Sequence, residues 1–341
     1  MKGKYTLARR YISLMRAWQV SAWGEPESMS LAEVAPPEPG PDQIRIRNHA
    51  AALNFFDILQ IQGKYQVKPP FPFTPGAEVA GVVDAAGAGV RGFVAGDRVA
   101  AIVFGGGLAE YTLSRPSRTF PMPSGMPYEE AAAMPIVYHT TWFALHHRTK
   151  IREGEWLLVH AGASGVGMAA IQIGKALGAN VIATAGSPGK LAFCSSQGAA
   201  HVLDYRNPGW VDRVKEITDG RGADIVYDPV GGDVFDLSTK CIAPEGRLLV
   251  IGFASGRIPS VPANRVLLKN ISIVGVLWGN YIDAHPEYPA ATHEALASLY
   301  LAGKIRPVVS KTYTLDAATE GLRDLANRKV IGKAVIAFER G

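Results

Sequence analysis

The stretch "EWLLVHAGASGVGMAAIQIGKALG", residues 155–178, limits most strongly what this chain can fold into. A short apolar run reads as a buried strand. It meets a turn holding Gly162, Gly165 and Gly167, and the segment after the turn has helical periodicity and stops at Gly178. In such a strand–turn–helix unit, small residues let the backbone approach a ligand closely. The helix start then offers N–H groups and the positive end of its dipole to an anion.

The unit does not stand alone. Apolar runs recur as "NVIATA" (180–185), "HVLDY" (201–205), "ADIVYDPV" (223–230), "RLLVIGFA" (247–254) and "ISIVGVLWG" (271–279), with helical segments between most of them. Six such strands predict an α/β, doubly wound domain with a six-stranded parallel sheet covered on both faces. The texture before it differs. From Met15 to about Ser124, alternating runs such as "QIRIRNHAAAL" and "GAEVAGVVDAAGAGV", punctuated by Gly and Pro, predict short strands in a small β-barrel. Residues 128–150 read as one helix. After Tyr281 come a helix (291–305), a strand (307–315), a helix (316–329) and a closing strand (333–338).

Charge argues against a nucleic-acid partner. Residues 1–14 hold Lys2, Lys4, Arg9 and Arg10 and no acid, so of the net +5 only +1 remains for the rest of the chain. That segment reads as a flexible extension, with the fold starting at Met15. The two cysteines, Cys194 and Cys241, are too few for a disulfide framework or a thiolate zinc site and read as small hydrophobes. No apolar run approaches the ~18 residues of a membrane span. The expectation is a cytoplasmic protein with no membrane partner.

Within G-x-G-x-x-G, Gly162 and Gly167 match and Ser164 replaces the middle glycine. Placement at the first strand of a βα series makes this turn a dinucleotide site, with Gly162, Ala163, Ser164, Gly165, Val166 and Gly167 around the phosphates. Serine adds one small carbon and a hydroxyl able to donate to a phosphate oxygen. A hydrolase elbow is excluded, because Val166 stands where G-x-S-x-G needs glycine. NAD sites place an acid at the end of the second strand, whereas this one ends "ATAGSPGK" (183–190) with Gly186, Ser187 and Lys190. A lysine there favours a 2′-phosphate, hence NADPH.

Beyond the turn, "ALNFFDILQIQGKY" (52–65), "PFTPGAEVAGVV" (72–83), "GAAHVLDY" (198–205), "YDPVGG" (227–232), "LLVIGFASG" (248–256) and "NRKVIGKAV" (327–335) carry a specific likeness. On these motifs the chain resembles the zinc-free, zeta-crystallin-type quinone oxidoreductases of the medium-chain dehydrogenase/reductase superfamily. The resemblance implies a GroES-like catalytic domain of residues 15–138 and 283–341 and a Rossmann domain of residues 139–282, with homodimers. It implies that Asn54 and Tyr65 act at the nicotinamide and that Thr141 contacts its carboxamide side. It puts Tyr205 and Arg328 with Lys190 around the 2′-phosphate, and Gly252, Phe253, Ala254, Ser255, Leu277 and Trp278 along the nicotinamide half. The alternatives are that Asn54 only caps a turn, that Tyr65 only walls the pocket, and that Trp278 is core or dimer packing. Zinc-dependent relatives need cysteine and histidine where this chain has Asn54 and Ala77. His139, His146 and His147 read as surface or satisfied histidines. The implied activity is NADPH-dependent hydride transfer to quinones. An enone, alkenal or enoyl-thioester acceptor, or NADPH binding without catalysis, remains open.

Overall fold

The computed structural model describes residues 14–103 and 105–339, so the expected extension, apart from Leu14, lies outside the described residues. The first sheet is organised by the strand Ile44–Ala52. One of its edges pairs antiparallel with Glu78–Ala86. Its other edge changes partner midway, bonding Tyr111–Ser114 through Ile44–Arg47 and then Lys333–Ala337 through Ala50–Ala52. Bonds from Asn48 N–H to Glu110 O (2.9 Å) and from Phe338 N–H to His49 O (3.0 Å) fill the changeover. Arg98–Ile102 and Thr119–Pro121 extend the sheet on one side, and Val309–Thr314 on the other. The closing strand of the chain is therefore built into a sheet made mostly by the first third.

The second sheet holds six parallel strands in the order His201–Asp204, Asn180–Ala185, Trp156–Val159, Ala223–Asp228, Ile242–Val250, Ser272–Gly275. In chain order this is 3-2-1-4-5-6, the Rossmann arrangement. Strands one and four lead away from each other and open a crevice beyond their carboxyl ends. The central strands are buried on both faces, which is why they read as continuous apolar runs: Leu157, Leu158, Val159, Ile225 and Val226 are all fully buried. Each side chain of that size stabilises the fold by about 1.5–3 kcal/mol on burial.

One apolar cluster joins the two sheets. It runs from Ala80, Ile102 and Phe120 through Met134, Val137 and Tyr138 to Val159 and Ile171. The joining segment is not the single helix expected over 128–150. It splits into Tyr128–Ala132 and Val137–Trp142, continued by a wider π-helical turn Phe143–Arg148. Pro135 causes the break, since it has no N–H to donate and its ring clashes with the preceding turn. Among the described residues no helix is long and apolar enough to cross a membrane.

Candidate active site

The strand Trp156–Val159 delivers the chain into the turn, and the helix Gly165–Ala176 leaves it. His160, between them, is fully buried, with Nδ1 2.9 Å from Thr184 Oγ1 and Nε2 2.8 Å from Ser238 Oγ. Burial holds its pKa down at about 3, so it pins the strand end as a neutral group. A Cβ on Gly167 would lie 2.2 Å from Ala161 O, so only glycine lets the helix start close onto the turn. Ser164 takes a different part from the one read in the sequence. Its hydroxyl donates to Ala161 O (2.7 Å) and accepts from Gly167 N–H (3.2 Å), which makes it the helix N-cap. Its only hydrogen is thus used inside the turn, and backbone N–H groups of the first helical turn are left to meet an anion.

The far end of the crevice gathers residues distant in sequence. Ser187 caps the helix Pro188–Ser196, accepting from Lys190 N–H at 3.4 Å. Lys190 Nζ donates to Arg328 O (2.7 Å), and Arg328 Nη2 lies 3.5 Å from Ala254 O. Tyr205 lies against Gly186, where a Cβ would come within 2.6 Å of its hydroxyl oxygen. Five of the expected residues (Gly186, Ser187, Lys190, Tyr205, Arg328) therefore meet in one place. The adjacent carboxylate, Asp204, is held by the Arg206 guanidinium at 2.6 Å and bonded by its N–H, which keeps its pKa down at about 2. The local charge is thus set by Lys190 and Arg328.

The loop after Ile242–Val250, whose Ala254 O lies beside Arg328, is fixed by N–H bonds from Ala254 to Pro229 O (3.1 Å) and from Ser255 to Val230 O (2.9 Å). Phe253 and Leu277 are exposed and available to a ligand. Two other expected residues are not. Thr141 is fully buried with its hydroxyl 2.9 Å from Tyr227 OH. Trp278 is buried edge-on against His139 at 5.4 Å between ring centroids, which is the core-packing alternative. Of the histidines, His139 is buried with Nε2 3.4 Å from His293 Nδ1, while exposed His146 and His147 stack on Trp142 and Phe143.

Tyr65 is half-buried and stacks on Phe56 at 5.3 Å. Its pKa is raised, first by burial and then by the Asp57 charge, so the phenol keeps its proton. Asn54 begins the helix Phe55–Ile61 and is buried, its N–H bonded to Asp57 Oδ2 at 2.8 Å. Its side-chain amide is held at both ends: Nδ2 donates to Glu78 Oε1 (2.8 Å), and Oδ1 accepts from Lys333 Nζ (2.8 Å). Lys333 Nζ also donates to Glu78 Oε1 (2.8 Å) and Leu53 O (3.0 Å). Asp57 is fully buried with Oδ1 unpartnered among the described residues, and burial pushes its carboxyl up to about 7.

Two family matches cover most of this architecture: an alcohol dehydrogenase GroES-like domain over residues 40–124 and a zinc-binding dehydrogenase domain over residues 165–297. A Nematostella vectensis protein called quinone oxidoreductase-like protein 2 homolog is 38% identical over 87% of this chain and 82% of its own. A Pseudomonas aeruginosa quinone oxidoreductase is 36% identical over 93% of this chain and 98% of its own. The chain belongs to the medium-chain dehydrogenase/reductase superfamily, among its quinone-oxidoreductase-like members. A mycobacterial member solved as a complex with NADPH superposes with TM-score 0.89 at 31% identity, covering 95% of this chain and 99% of that one.

One family name implies zinc, and the donor set here does not fit it. Asn54 has both amide ends engaged and Ala77 has no donor, and among the described residues no group of three His, Cys, Asp or Glu side chains could hold a metal ion. Glu78 and Lys333 were missed as site residues, although both lie in motifs that carried the family likeness. The available signal was a lone charge in each of two apolar strands, "AEVAGVV" and "GKAVIAF". A charge buried in a strand requires a buried counter-charge, and each supplies the other's.

Proposed function

We propose that this member of the superfamily is an NADPH-dependent quinone reductase. The observation that carries the reading is the crevice at the strand-one/strand-four switch. One end of it is a glycine-lined helix start, and the other is a cationic cluster of Lys190 and Arg328. Opposite unit charges about 4 Å apart interact by about 4 kcal/mol gross at intermediate dielectric, so this cluster favours the cofactor carrying the extra phosphate. The nicotinamide, when bound, supplies a hydride. The chain's own part is positional. The loop at Phe253 and Leu277 walls the nicotinamide side, and Tyr65 and Phe56 offer an aromatic face to a flat acceptor. The Tyr65 hydroxyl, holding its proton, donates a hydrogen bond to the acceptor oxygen as charge develops there.

The test is NADPH oxidation against ortho-quinones, enones and enoyl thioesters. Turnover with quinones as the best acceptors supports the reading. Preference for an enone or thioester moves the protein to the sibling activity, and binding without turnover makes it a non-catalytic NADPH carrier.

The partner surface of this reading is a second copy of the chain. Ser272–Gly275 is an edge strand of the parallel sheet, and Leu267 and Leu268 beside it are 74% and 79% exposed. An open strand edge next to apolar side chains is a surface that another copy covers. Light scattering should give a dimer mass, and Leu267→Glu with Leu268→Glu should give a monomer. An unchanged mass in that variant places the interface elsewhere.

A further inference from the structure

The Asn54 amide sits between an ammonium and a carboxylate, and this arrangement fixes its polarity. An ammonium has only donors and an ionised carboxylate only acceptors. Oδ1 therefore faces Lys333 and Nδ2 faces Glu78, both at 2.8 Å, and a flipped amide would set N–H against N–H and oxygen against oxygen. Glu78 is fully buried and its other oxygen accepts from Ile136 N–H (2.7 Å), so the carboxylate is itself immobilised. Besides its bond to Glu78, Nδ2 donates a longer one to Ala52 O at 3.4 Å.

The same lysine reaches the cofactor turn. Gly332 N–H donates to Ala163 O (2.8 Å), locking the start of the closing strand onto the glycine-rich turn. The Lys333 stem then passes Gly165 so closely that a Cβ there would be 2.7 Å from Lys333 Cδ. We propose that the buried Lys333–Glu78 pair is a positioning device that fixes the orientation of the Asn54 amide and ties it to the glycine-rich turn. The inference rests on the proposed reductase activity, with Asn54 at the reacting centre.

Lys333→Met alone leaves a carboxylate buried without its counter-ion and risks unfolding, so the test uses Lys333→Met with Glu78→Gln, which removes both charges. This pair is made in the wild-type and in the Asn54→Ala background, and each protein is assayed for NADPH binding by fluorescence and for kcat with an ortho-quinone. On the wild type, kcat is expected to fall about tenfold to a hundredfold, the scale of a misplaced reacting-centre contact, with the NADPH dissociation constant changed by less than about twofold. On Asn54→Ala the pair should cost no more than about a further twofold, because the device acts through Asn54. Equal losses in both backgrounds, a retained kcat, or an Asn54→Ala protein with wild-type kcat overturns the positioning role. A wild type that binds NADPH and turns over while the cycle is additive refutes this inference alone. A wild type that binds no NADPH, or reduces no acceptor, refutes the functional reading and this inference with it.

Discussion

Replacing His160 by leucine separates two effects at the base of the glycine-rich turn. In the wild type the ring is fully buried, bridges Thr184 and Ser238, and holds its pKa at about 3 against an ordinary 6.5. At neutral pH, His160→Leu loses both hydrogen bonds and leaves the Thr184 hydroxyl without this partner, at a cost of about 2 kcal/mol. Acid reverses the comparison. Below pH 6.5 the unfolded wild type takes up a proton that the folded state refuses, so stability is fully present above 6.5 and is lost as the pH falls towards 3. The loss is about 1.4 kcal/mol per pH unit, or about 2 kcal/mol by pH 5. The leucine variant has no such proton. Buried His139, His293, Asp57 and Asp228 titrate in both proteins and cancel in the difference. Urea unfolding, followed by tryptophan fluorescence from pH 7.5 to 4.5, should therefore give two stability curves that converge below pH 6.5 and meet near pH 5. Parallel curves would mean that folded His160 accepts its proton as easily as the unfolded chain does, and that its burial does not hold it neutral.

Two further outcomes follow from the site. Gly167→Ala sets a methyl carbon 2.2 Å from Ala161 O, a backbone atom that cannot yield, so NADPH binding should be lost in titrations and the melting temperature should fall. Tyr65→Phe keeps the stack on Phe56 and removes only the hydroxyl, so kcat/KM for a quinone should drop about tenfold through kcat with NADPH affinity unchanged. An unchanged kcat would reduce Tyr65 to a wall.

Most of the second domain was legible because its signals are local. Each buried parallel strand is a short apolar run, the turn is six consecutive residues, and the segment that follows the second strand visibly holds Lys190 and no acid. Part of what escaped depends on partners far along the chain. Lys333 and Glu78 meet across 255 residues, and neither strand reveals the other's register. The chemistry of Ser164 points to a phosphate, whereas the turn puts Ala161 O 2.7 Å from its hydroxyl, a contact that no sequence pattern announces. Pocket and core readings of Trp278 cannot be separated in sequence because exposure is a property of the fold; in the structure it is buried against His139. The helix read over 128–150 ignored Pro135, a signal present in the sequence and outweighed there by apolar periodicity.

Selection of the phosphorylated nicotinamide cofactor through Lys190, as proposed, is measured by the dissociation constants of NADPH and NADH for the wild type and Lys190→Ala. NADPH should bind tighter by about tenfold or more, a difference of about 1.4 kcal/mol, with most of that margin lost in the variant. Equal affinity for the two cofactors in the wild type, or a margin untouched by Lys190→Ala, would contradict it.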